Sequence, residues 1–172
     1  MSKAPKDDGR SNRLLDALEP ASRQRIDAHL ESIKLKLGTV VCEAGGLLKH
    51  AYFPQGNVLS LLTVLEDGSA IETANIGREG AFGLFAAMYS RVSFNRCLVQ
   101  LEGAMVRCPI QLLQSEFKHS EHVRDLFVSY SETLLSRWVA KRPRRRASSV
   151  RTWSSSENVR HLYPDFIGLH LA

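Results

Sequence analysis

The sequence predicts a mainly β protein, a closed antiparallel roll or jelly roll flanked by helices. About eight short runs rich in β-branched and aromatic residues recur at regular spacing, with turn residues between them. Two of these runs, residues 58–65 and Ala70–Ile76, are separated by Asp67-Gly68, and an Asp-Gly pair between such runs is a strong hairpin signal. Helical periodicity occurs only before and after this β-rich part, which indicates a single β core.

Two short helices are predicted at the N-terminal end. Either Ser11 or Asn12 can cap the first one. Its apolar residues share one face: Leu14, Leu15 and Leu18. Pro20 suits the first turn of a second helix over residues 21–30, because the missing N–H of proline has no helical partner there.

The remaining strands are predicted from alternation or from β-rich composition. Ile33, Leu35 and Leu37 alternate with lysines, which is typical of a half-buried strand. Two runs on either side of Glu102-Gly103 predict a second strand pair. Besides the first hairpin, the predicted strands are residues 33–37, 39–43, 50–53, 94–101 and 104–108.

A Gly-rich segment, residues 77–83, lies between the two predicted strand pairs and leads into a short apolar run. A Gly-rich turn that opens a helix brings several backbone N–H groups together, which favours an anion site. Alternatively, the glycines only turn the chain at a corner of the roll. The residues alone leave both interpretations open.

Two further helices are predicted after the β-rich part, over residues 109–117 and, following Ser120, over residues 121–140. Apolar residues of the longer helix recur at spacings of four, three and four, a pattern that packs well against an identical helix. They are Val123, Phe127, Tyr130 and Leu134. We expect a homodimer through this seam; the alternative is that the seam covers the chain's own roll.

Composition excludes several classes of protein. No apolar run approaches the roughly 20 residues that a membrane-spanning helix needs. The odd number of cysteines (Cys42, Cys97 and Cys108), all in predicted strands, indicates reduced buried thiols and a cytoplasmic protein. Because no nucleophile elbow or paired-carboxylate motif occurs, we expect no enzyme. His119 and His122 lack a third ligand nearby, so we expect no metal.

The net charge of +5 resides in the C-terminal tail. Residues 1–136 hold 15 Lys and Arg against 16 Asp and Glu, whereas residues 137–172 hold 8 against 2. The basic residues cluster in one run: Lys141, Arg142, Arg144, Arg145 and Arg146. This run can hold phosphates without sequence specificity, or it is a solvated, disordered tail.

Several motifs occur in order along the chain. They are Asn12-Arg13-Leu14-Leu15-Asp16-Ala17-Leu18, Tyr52-Phe53-Pro54, Val58-Leu59-Ser60-Leu61-Leu62 with Glu66-Asp67-Gly68, Ile76-Gly77-Arg78-Glu79-Gly80, and Val99-Gln100-Leu101-Glu102-Gly103. With them, residues 12–136 resemble the regulatory half of Crp/Fnr-type bacterial transcription regulators.

The resemblance implies a cyclic-nucleotide-binding-type β-roll (a double-stranded β-helix or jelly roll) over residues 12–118. It further implies a dimerisation helix over residues 119–140 and normally a winged helix-turn-helix that binds DNA. Residues 1–11 would be a disordered leader. Residues 141–172 would be a basic, Ser-rich tail, too short for a winged helix. The abrupt change in composition from about Arg137 leads us to expect a truncation or a reading-frame change in the gene.

Family members that bind cyclic AMP show Gly-Glu-Leu before the short helix, with the Glu holding a ribose hydroxyl. Here the matching residues are Gly80-Ala81-Phe82, so the acid is missing unless Glu79 takes its place. The family also shows Arg-Ser/Thr-Ala, with the Arg on the cyclic phosphate, where this chain has Arg96-Cys97-Leu98. The resemblance gives these candidates for ligand binding: Glu79, Gly80, Ala81, Gly83, Arg96 and Cys97.

These departures make a cyclic nucleotide the less favoured interpretation, and no cofactor is expected. Without a phosphate, Arg96 should face solvent or pair with an acid. The N-terminal cysteine cluster of iron–sulfur members is absent, since the first cysteine is Cys42. Two functions remain: the sensory domain of a Crp/Fnr-type regulator, and a β-roll dimer that acts through protein contacts or has no retained activity.

Overall fold

The computed structural model describes residues 11–65, 68–89 and 91–140, with only the backbone of residues 137–140. This part of the chain forms five helices and seven strands. The helices are α1 (Arg13–Asp16), α2 (Pro20–Asp27), α3 (Leu84–Met88), α4 (Ile110–His119) and α5 (Glu121–Ala140). The strands are β1 (Glu31–Leu35), β2 (Val40–Cys42), β3 (His50–Pro54), β4 (Val58–Val64), β5 (Ala70–Ile76), β6 (Arg96–Leu101) and β7 (Gly103–Pro109). The predicted fold class, mainly β with flanking helices, is confirmed.

The strands form two antiparallel sheets. One has three strands in the order β1-β7-β3, and the other has four in the order β2-β6-β4-β5. Alternate residues of both sheets point inward and make one core, in which Phe53, Leu59 and Met105 are fully buried. This arrangement is the expected roll.

The first predicted hairpin is confirmed. Val64 lies opposite Ala70, and the amide of Leu65 donates to the carbonyl of Ser69 across the turn at 2.8 Å. Gly68 has a φ of 80°, a left-handed conformation that glycine adopts without strain.

The second predicted strand pair is wrong. Strands β6 and β7 both form, but β6 lies between β2 and β4 while β7 is the centre of the other sheet. The chain therefore changes sheets at Glu102-Gly103 instead of turning back. Gly103 permits the crossing, because a Cβ atom there would lie 2.3 Å from the carbonyl oxygen of Gly56.

Asn12 is the residue that caps α1. Its side-chain Oδ1 accepts hydrogen bonds from the amides of Leu14 (3.0 Å) and Leu15 (3.2 Å). Pro20 occupies the first turn of α2 as predicted, although this helix ends at Asp27, three residues earlier than expected.

The long helix α5 packs on its own roll. Val123 and Phe127 are 0% and 1% exposed and belong to the same core as the strands. Tyr130 and Leu134 are half-buried against that core. The assignment of this seam to a dimer interface is therefore corrected for Val123 and Phe127, because a side chain buried within its own chain has no surface to offer a second copy.

Some predictions fall outside the described residues. They are the leader up to residue 10 and the basic tail with Lys141, Arg142, Arg144, Arg145 and Arg146. Among the helices that are described, none has the length and hydropathy needed to cross a membrane.

Candidate functional site

The Gly-rich segment, residues 77–83, connects the end of β5 to α3, and neighbours from distant parts of the chain hold it. The amide of Arg13 donates to the carbonyl of Arg78 at 2.7 Å. The Nδ2 group of Asn12 donates to the carbonyls of Gly80 and Pro54, both at 2.8 Å. Since Asn12 is 1% exposed, these bonds also satisfy its buried amide. The start of the domain is thus tied to the Gly-rich segment.

Helix α5 reaches the same segment through Tyr130. The phenolic hydroxyl accepts a hydrogen bond from the amide of Ala81 and donates one to the carbonyl of the same residue, each at 3.1 Å. The ring lies so close to Gly80 that a Cβ atom there would come within 2.2 Å of the hydroxyl oxygen. Gly80 is therefore a glycine because the Tyr130 ring occupies the space of a side chain.

Strand β3 supplies the third support. Tyr52 and Phe82 exchange two backbone hydrogen bonds, of 2.8 and 2.9 Å, and their rings stack with centroids 6.2 Å apart. Gly83 then caps α3 with a φ of 98°, and a Cβ atom there would lie 3.2 Å from the Cα of Ala51. These contacts fix the point at which the short helix begins.

Four backbone amides of the Gly-rich segment donate hydrogen bonds within the chain. The amide of Gly77 donates to the Glu79 side chain at 3.2 Å, and the amide of Gly80 donates to the carbonyl of Gly77 at 3.1 Å. The amides of Ala81 and Phe82 bond Tyr130 and Tyr52. These four donors already have partners, which agrees with the interpretation that the glycines turn and pack the chain.

The Glu79 carboxylate turns back to its own loop and accepts a hydrogen bond from the Gly77 amide at 3.2 Å. The methyl side chain of Ala81, two residues later, is buried. The sequence analysis placed both residues in the candidate site. In the structure, the Glu79 side chain stabilises the turn, and the backbone of Ala81 forms hydrogen bonds with Tyr130 of α5.

Arg96 lies on β6 and pairs with an acid, one of the two expected outcomes. Its Nε is 3.3 Å from Oε2 of Glu43, with the two side chains 38% and 62% exposed. The contact lacks hydrogen-bond geometry, so Nε is a buried donor without a hydrogen-bond partner among the described residues. The pair is open to solvent and contributes little to stability.

Cys97 is fully buried and lies directly opposite Cys42 on β2 and Leu61 on β4. Burial raises the pKa of its thiol far above the ordinary value, so the thiol is neutral. The structure thus brings Gly80, Ala81 and Tyr130 together. It also places the adjacent residues Arg96 and Cys97 against Glu43 and Cys42.

The sequence analysis did not predict three contacts that hold the Gly-rich segment. They are the hydrogen bond from Asn12 to Gly80, the backbone pairing of Tyr52 with Phe82, and the hydrogen bonds of the Tyr130 hydroxyl with Ala81. One signal existed for the last. A phenolic hydroxyl in an otherwise apolar seam needs a hydrogen-bond partner, which argues for a backbone contact at Tyr130.

The two histidines of the discounted metal pair bond separate carbonyls. Nδ1 of His119 lies 2.8 Å from the carbonyl of Ser115, and Nε2 of His122 lies 2.9 Å from that of Ala17. The described residues contain no group of three or more side chains that could hold a metal ion.

Comparison with known proteins gives structural matches only: no protein-family model and no curated protein sequence matches this chain. The sensor domain of the transcriptional regulator DNR from Pseudomonas aeruginosa superimposes with a TM-score of 0.59 at 12% identity, covering 78% of this chain and 90% of that one. A protein assigned to the Crp/Fnr family of transcriptional regulators from Eubacterium rectale gives 0.65 at 16% identity, covering 74% and 60%. The c-di-GMP-responsive global regulator CLP from Xanthomonas campestris gives 0.61 at 14% identity, covering 72% and 62%.

All three structural neighbours are regulators, one of them assigned to the Crp/Fnr family, and they confirm the predicted cyclic-nucleotide-binding-type β-roll with a C-terminal helix. The chain spans most of the DNR sensor domain but only about 60% of the length of the other two regulators. At these identities the likeness establishes the fold.

Proposed function

We propose that this chain is the sensory domain of a Crp/Fnr-type transcription regulator and acts in the cytoplasm. The β-roll and the long α5 support this function, as do the regulatory domains among its structural neighbours. The observation that carries the proposal is the pair of hydrogen bonds between Tyr130 and Ala81. They join the Gly-rich segment, where the family binds its ligand, to the helix that would pass a signal onward.

The packing around Tyr130 would couple movement of the Gly-rich segment to movement of α5. The hydroxyl bonds both backbone groups of Ala81, and the ring fills the space above Gly80. A shift of the segment therefore has to break two hydrogen bonds or move the ring and the helix with it. Packed elements of this kind exchange between discrete arrangements, which is how a small change at a ligand site becomes a helix movement.

We further propose that the effector is not cyclic AMP held in the family's usual way. The methyl group of Ala81 cannot accept a hydrogen bond from a ribose hydroxyl, and leaving such a hydroxyl unpaired costs about 1–3 kcal/mol. Glu43 competes with a phosphate for Arg96. Calorimetry with cyclic AMP should detect no binding at micromolar concentrations. Micromolar binding would contradict the proposal and would point to Glu79 and Arg96 as the ligand-binding residues.

We propose that two copies of this chain associate through the outer face of α5. Val128 and Leu135 are 40% and 41% exposed and lie seven residues apart, so they share one side of the helix. This face differs from the one that carries Val123 and Phe127. A homodimer built on it would leave the roll's own core intact.

DNA binding by this chain would be non-specific. Residues 1–136 are nearly neutral, whereas residues 137–172 carry the excess positive charge. Phosphate contacts from such a basic run carry no base information, and their affinity falls with salt at a log–log slope of about −0.9 per contact. A mobility-shift assay with two unrelated duplexes at two salt concentrations should give equal affinities that fall together as salt rises.

A reporter assay tests the sensory role directly. Residues 11–140 would replace the sensor domain of DNR, leaving the rest of that regulator unchanged. A functional sensory domain should restore transcription from the DNR target promoter above the level given by the remainder of DNR alone. The Tyr130→Phe version should lower that output, and Gln111→Ala, at an exposed position of α4, should not. Output equal to the remainder alone would contradict the proposal and favour a β-roll that acts through protein contacts.

A further inference from the structure

Two of the three cysteines face each other across neighbouring strands. Cys42 on β2 is the direct partner of Cys97 on β6. In a regular antiparallel ladder, paired residues have Cα atoms about 4.5–5.5 Å apart and side chains on the same face, and here a register shift lies just before Cys42. That separation falls within the range of roughly 4.4–6.8 Å that disulfides span. Cys108 is on β7, in the other sheet, so the fold selects one specific pair.

The two thiols differ in access. Cys97 is fully buried, whereas Cys42 is half-buried on a three-residue strand at the edge of its sheet. A reagent from solution therefore reaches Cys42 first. Strand β2 is short and its ladder to β6 is interrupted by a register shift between Val40 and Cys42, so the strand pairing is locally disrupted beside Cys42.

The pKa of Tyr52 is raised, chiefly by burial, and both cysteines raise it further, although Arg107 acts in the opposite direction. The pKa of Cys97 is likewise raised by burial and then by Cys42. The pairing of the two cysteines itself follows from the strand register.

We propose that Cys42 and Cys97 form a reversible disulfide in exchange with low-molecular-weight disulfides of the glutathione type. The Cys42 thiolate attacks one sulfur of the small disulfide, forms a mixed disulfide and releases one small thiolate. The Cys97 thiol, which is neutral in the resting fold, gives up its proton to the departing small thiolate as its sulfur attacks the Cys42 sulfur and closes the intramolecular bond. Two protein thiols are oxidised, one small disulfide is reduced to two thiols, and the two protons from the cysteines balance the thiolates.

The geometry favours a bond that can be reduced again. Cβ atoms of opposed residues lie about 4.5–5.5 Å apart, whereas a disulfide needs about 3.5–4.5 Å, so the strands must close by a fraction of an ångström. Strained disulfides are the more easily reduced ones. Burial raises the pKa of the Cys42 thiol, which keeps the thiolate fraction low and the exchange slow. The pair is suited to report a sustained change in thiol–disulfide balance.

A disulfide between Cys42 and Cys97 would affect the ion pair between Glu43 and Arg96. Glu43 follows Cys42, and Arg96 precedes Cys97, so the disulfide would close next to the Glu43–Arg96 ion pair. Tying β2 to β6 would hold Glu43 against Arg96 and limit access to that guanidinium. This inference stands on the strand register and does not depend on the proposed function.

The test uses the purified full chain in buffers of defined reduced-to-oxidised glutathione ratio. After equilibration, free thiols are blocked with N-ethylmaleimide and the products are mapped by mass spectrometry. We expect a species that carries N-ethylmaleimide only at Cys108 and whose digest contains the Cys42 peptide joined to the Cys97 peptide, and its full loss when dithiothreitol is added before the blocking step. Unmodified chains at every ratio would overturn the proposal.

Three variants sharpen the result. Cys97→Ala removes the second nucleophile, so it should stop at the glutathione mixed disulfide on Cys42. Cys42→Ser should leave Cys97 reduced, and Cys108→Ala should behave as the unmodified chain. The unmodified chain also serves as its own control if a variant fails to fold. Accumulation of the mixed disulfide on Cys42 in the unmodified chain, without the internal bond, would contradict the proposal.

Discussion

The hydroxyl of Tyr130 lies 3.1 Å from both the amide nitrogen and the carbonyl oxygen of Ala81, two residues that are 49 positions apart. Its ring also covers Gly80. The Tyr130 side chain therefore satisfies one backbone donor and one backbone acceptor of the Gly-rich segment. Its ring also leaves room only for glycine at position 80, directly before Ala81. The helix and the Gly-rich segment are thus joined by two hydrogen bonds and a close ring contact.

Replacing Gly80 with alanine should displace the Tyr130 ring and so detach α5 from the Gly-rich segment. The new methyl carbon would lie 2.2 Å from the Tyr130 hydroxyl and 2.7 Å from two ring carbons, so the ring must leave its place. Forcing extra volume into a packed site costs about 1–3 kcal/mol, and the two hydrogen bonds to Ala81 are lost with it. Urea unfolding should show this loss. Gly56→Ala, where the nearest atom would be 3.9 Å away, should change stability little.

A double-mutant cycle identifies the cause. If Tyr130 is the obstacle, Gly80→Ala should cost much less in a Tyr130→Ala background than in the unmodified chain. Equal costs in both backgrounds would show that the backbone of Gly80, and not the ring, is the source of the effect.

Much of the fold could be predicted from local pattern. The β5 strand has the predicted limits, Ala70–Ile76, and α5 has the predicted limits, Glu121–Ala140, because alternation and helical periodicity are set by neighbouring residues. The partner of a strand is not a local property. Glu102-Gly103 has the composition of a hairpin turn, yet the chain crosses there between sheets, since β4 already pairs with β6 and β3 with β7.

The candidate site was harder to predict for the same reason. Periodicity placed Val123 and Phe127 on one face of α5 but could not say whether that face covers the roll or a second copy. Gly80 carries no sign that a ring fifty residues later occupies its side-chain space. By contrast, the expectation that Arg96 faces solvent or pairs with an acid came from the energetic cost of an unpaired buried charge, and Glu43 satisfies it.

Substitutions on the two faces of α5 should have different outcomes. Val128→Asp with Leu135→Asp should leave the roll folded and convert a dimer to a monomer, because two buried carboxylates in an apolar contact cost several kcal/mol in all, on the order of a modest interface. Phe127→Asp should instead unfold the chain, since loss of such a buried ring alone costs about 3–5 kcal/mol. Sedimentation velocity and circular dichroism separate these effects. A monomeric unmodified chain would contradict the interface.

The ion pair between Arg25 and Glu116 should make stability depend on pH. The guanidinium donates to both carboxylate oxygens, at 2.6 and 2.7 Å, and these bonds lower the pKa of Glu116, whose side chain is 6% exposed. A carboxyl whose pKa is lowered by folding adds stability above its unfolded pKa of roughly 4.3. That stability is lost as pH falls through the lower folded value.

Glu116→Gln should therefore lower the melting temperature at pH 7 and have a smaller effect at pH 3. Glu31→Gln is the matched control. Arg107 also lowers the pKa of Glu31, but this pair is more exposed, so its effect should be smaller and should weaken further with salt. Thermal melts at the two pH values measure both. A Glu116→Gln effect that does not change between pH 7 and pH 3 would exclude the ion pair as the source.

Hydrogen–deuterium exchange on the full chain, read together at residues 77–83 and in α5, tests most directly whether the Gly-rich segment and the helix act as one unit. Tyr130→Phe keeps the ring and removes both bonds to Ala81, at a cost of about 1–2 kcal/mol for the backbone groups left unpaired. We expect exchange to rise roughly tenfold in both segments with strand β1 unchanged, and no rise in Gln111→Ala, at an exposed position of α4. A rise confined to residues 77–83, with α5 as protected as before, would show that the helix does not sense the segment and would contradict the account.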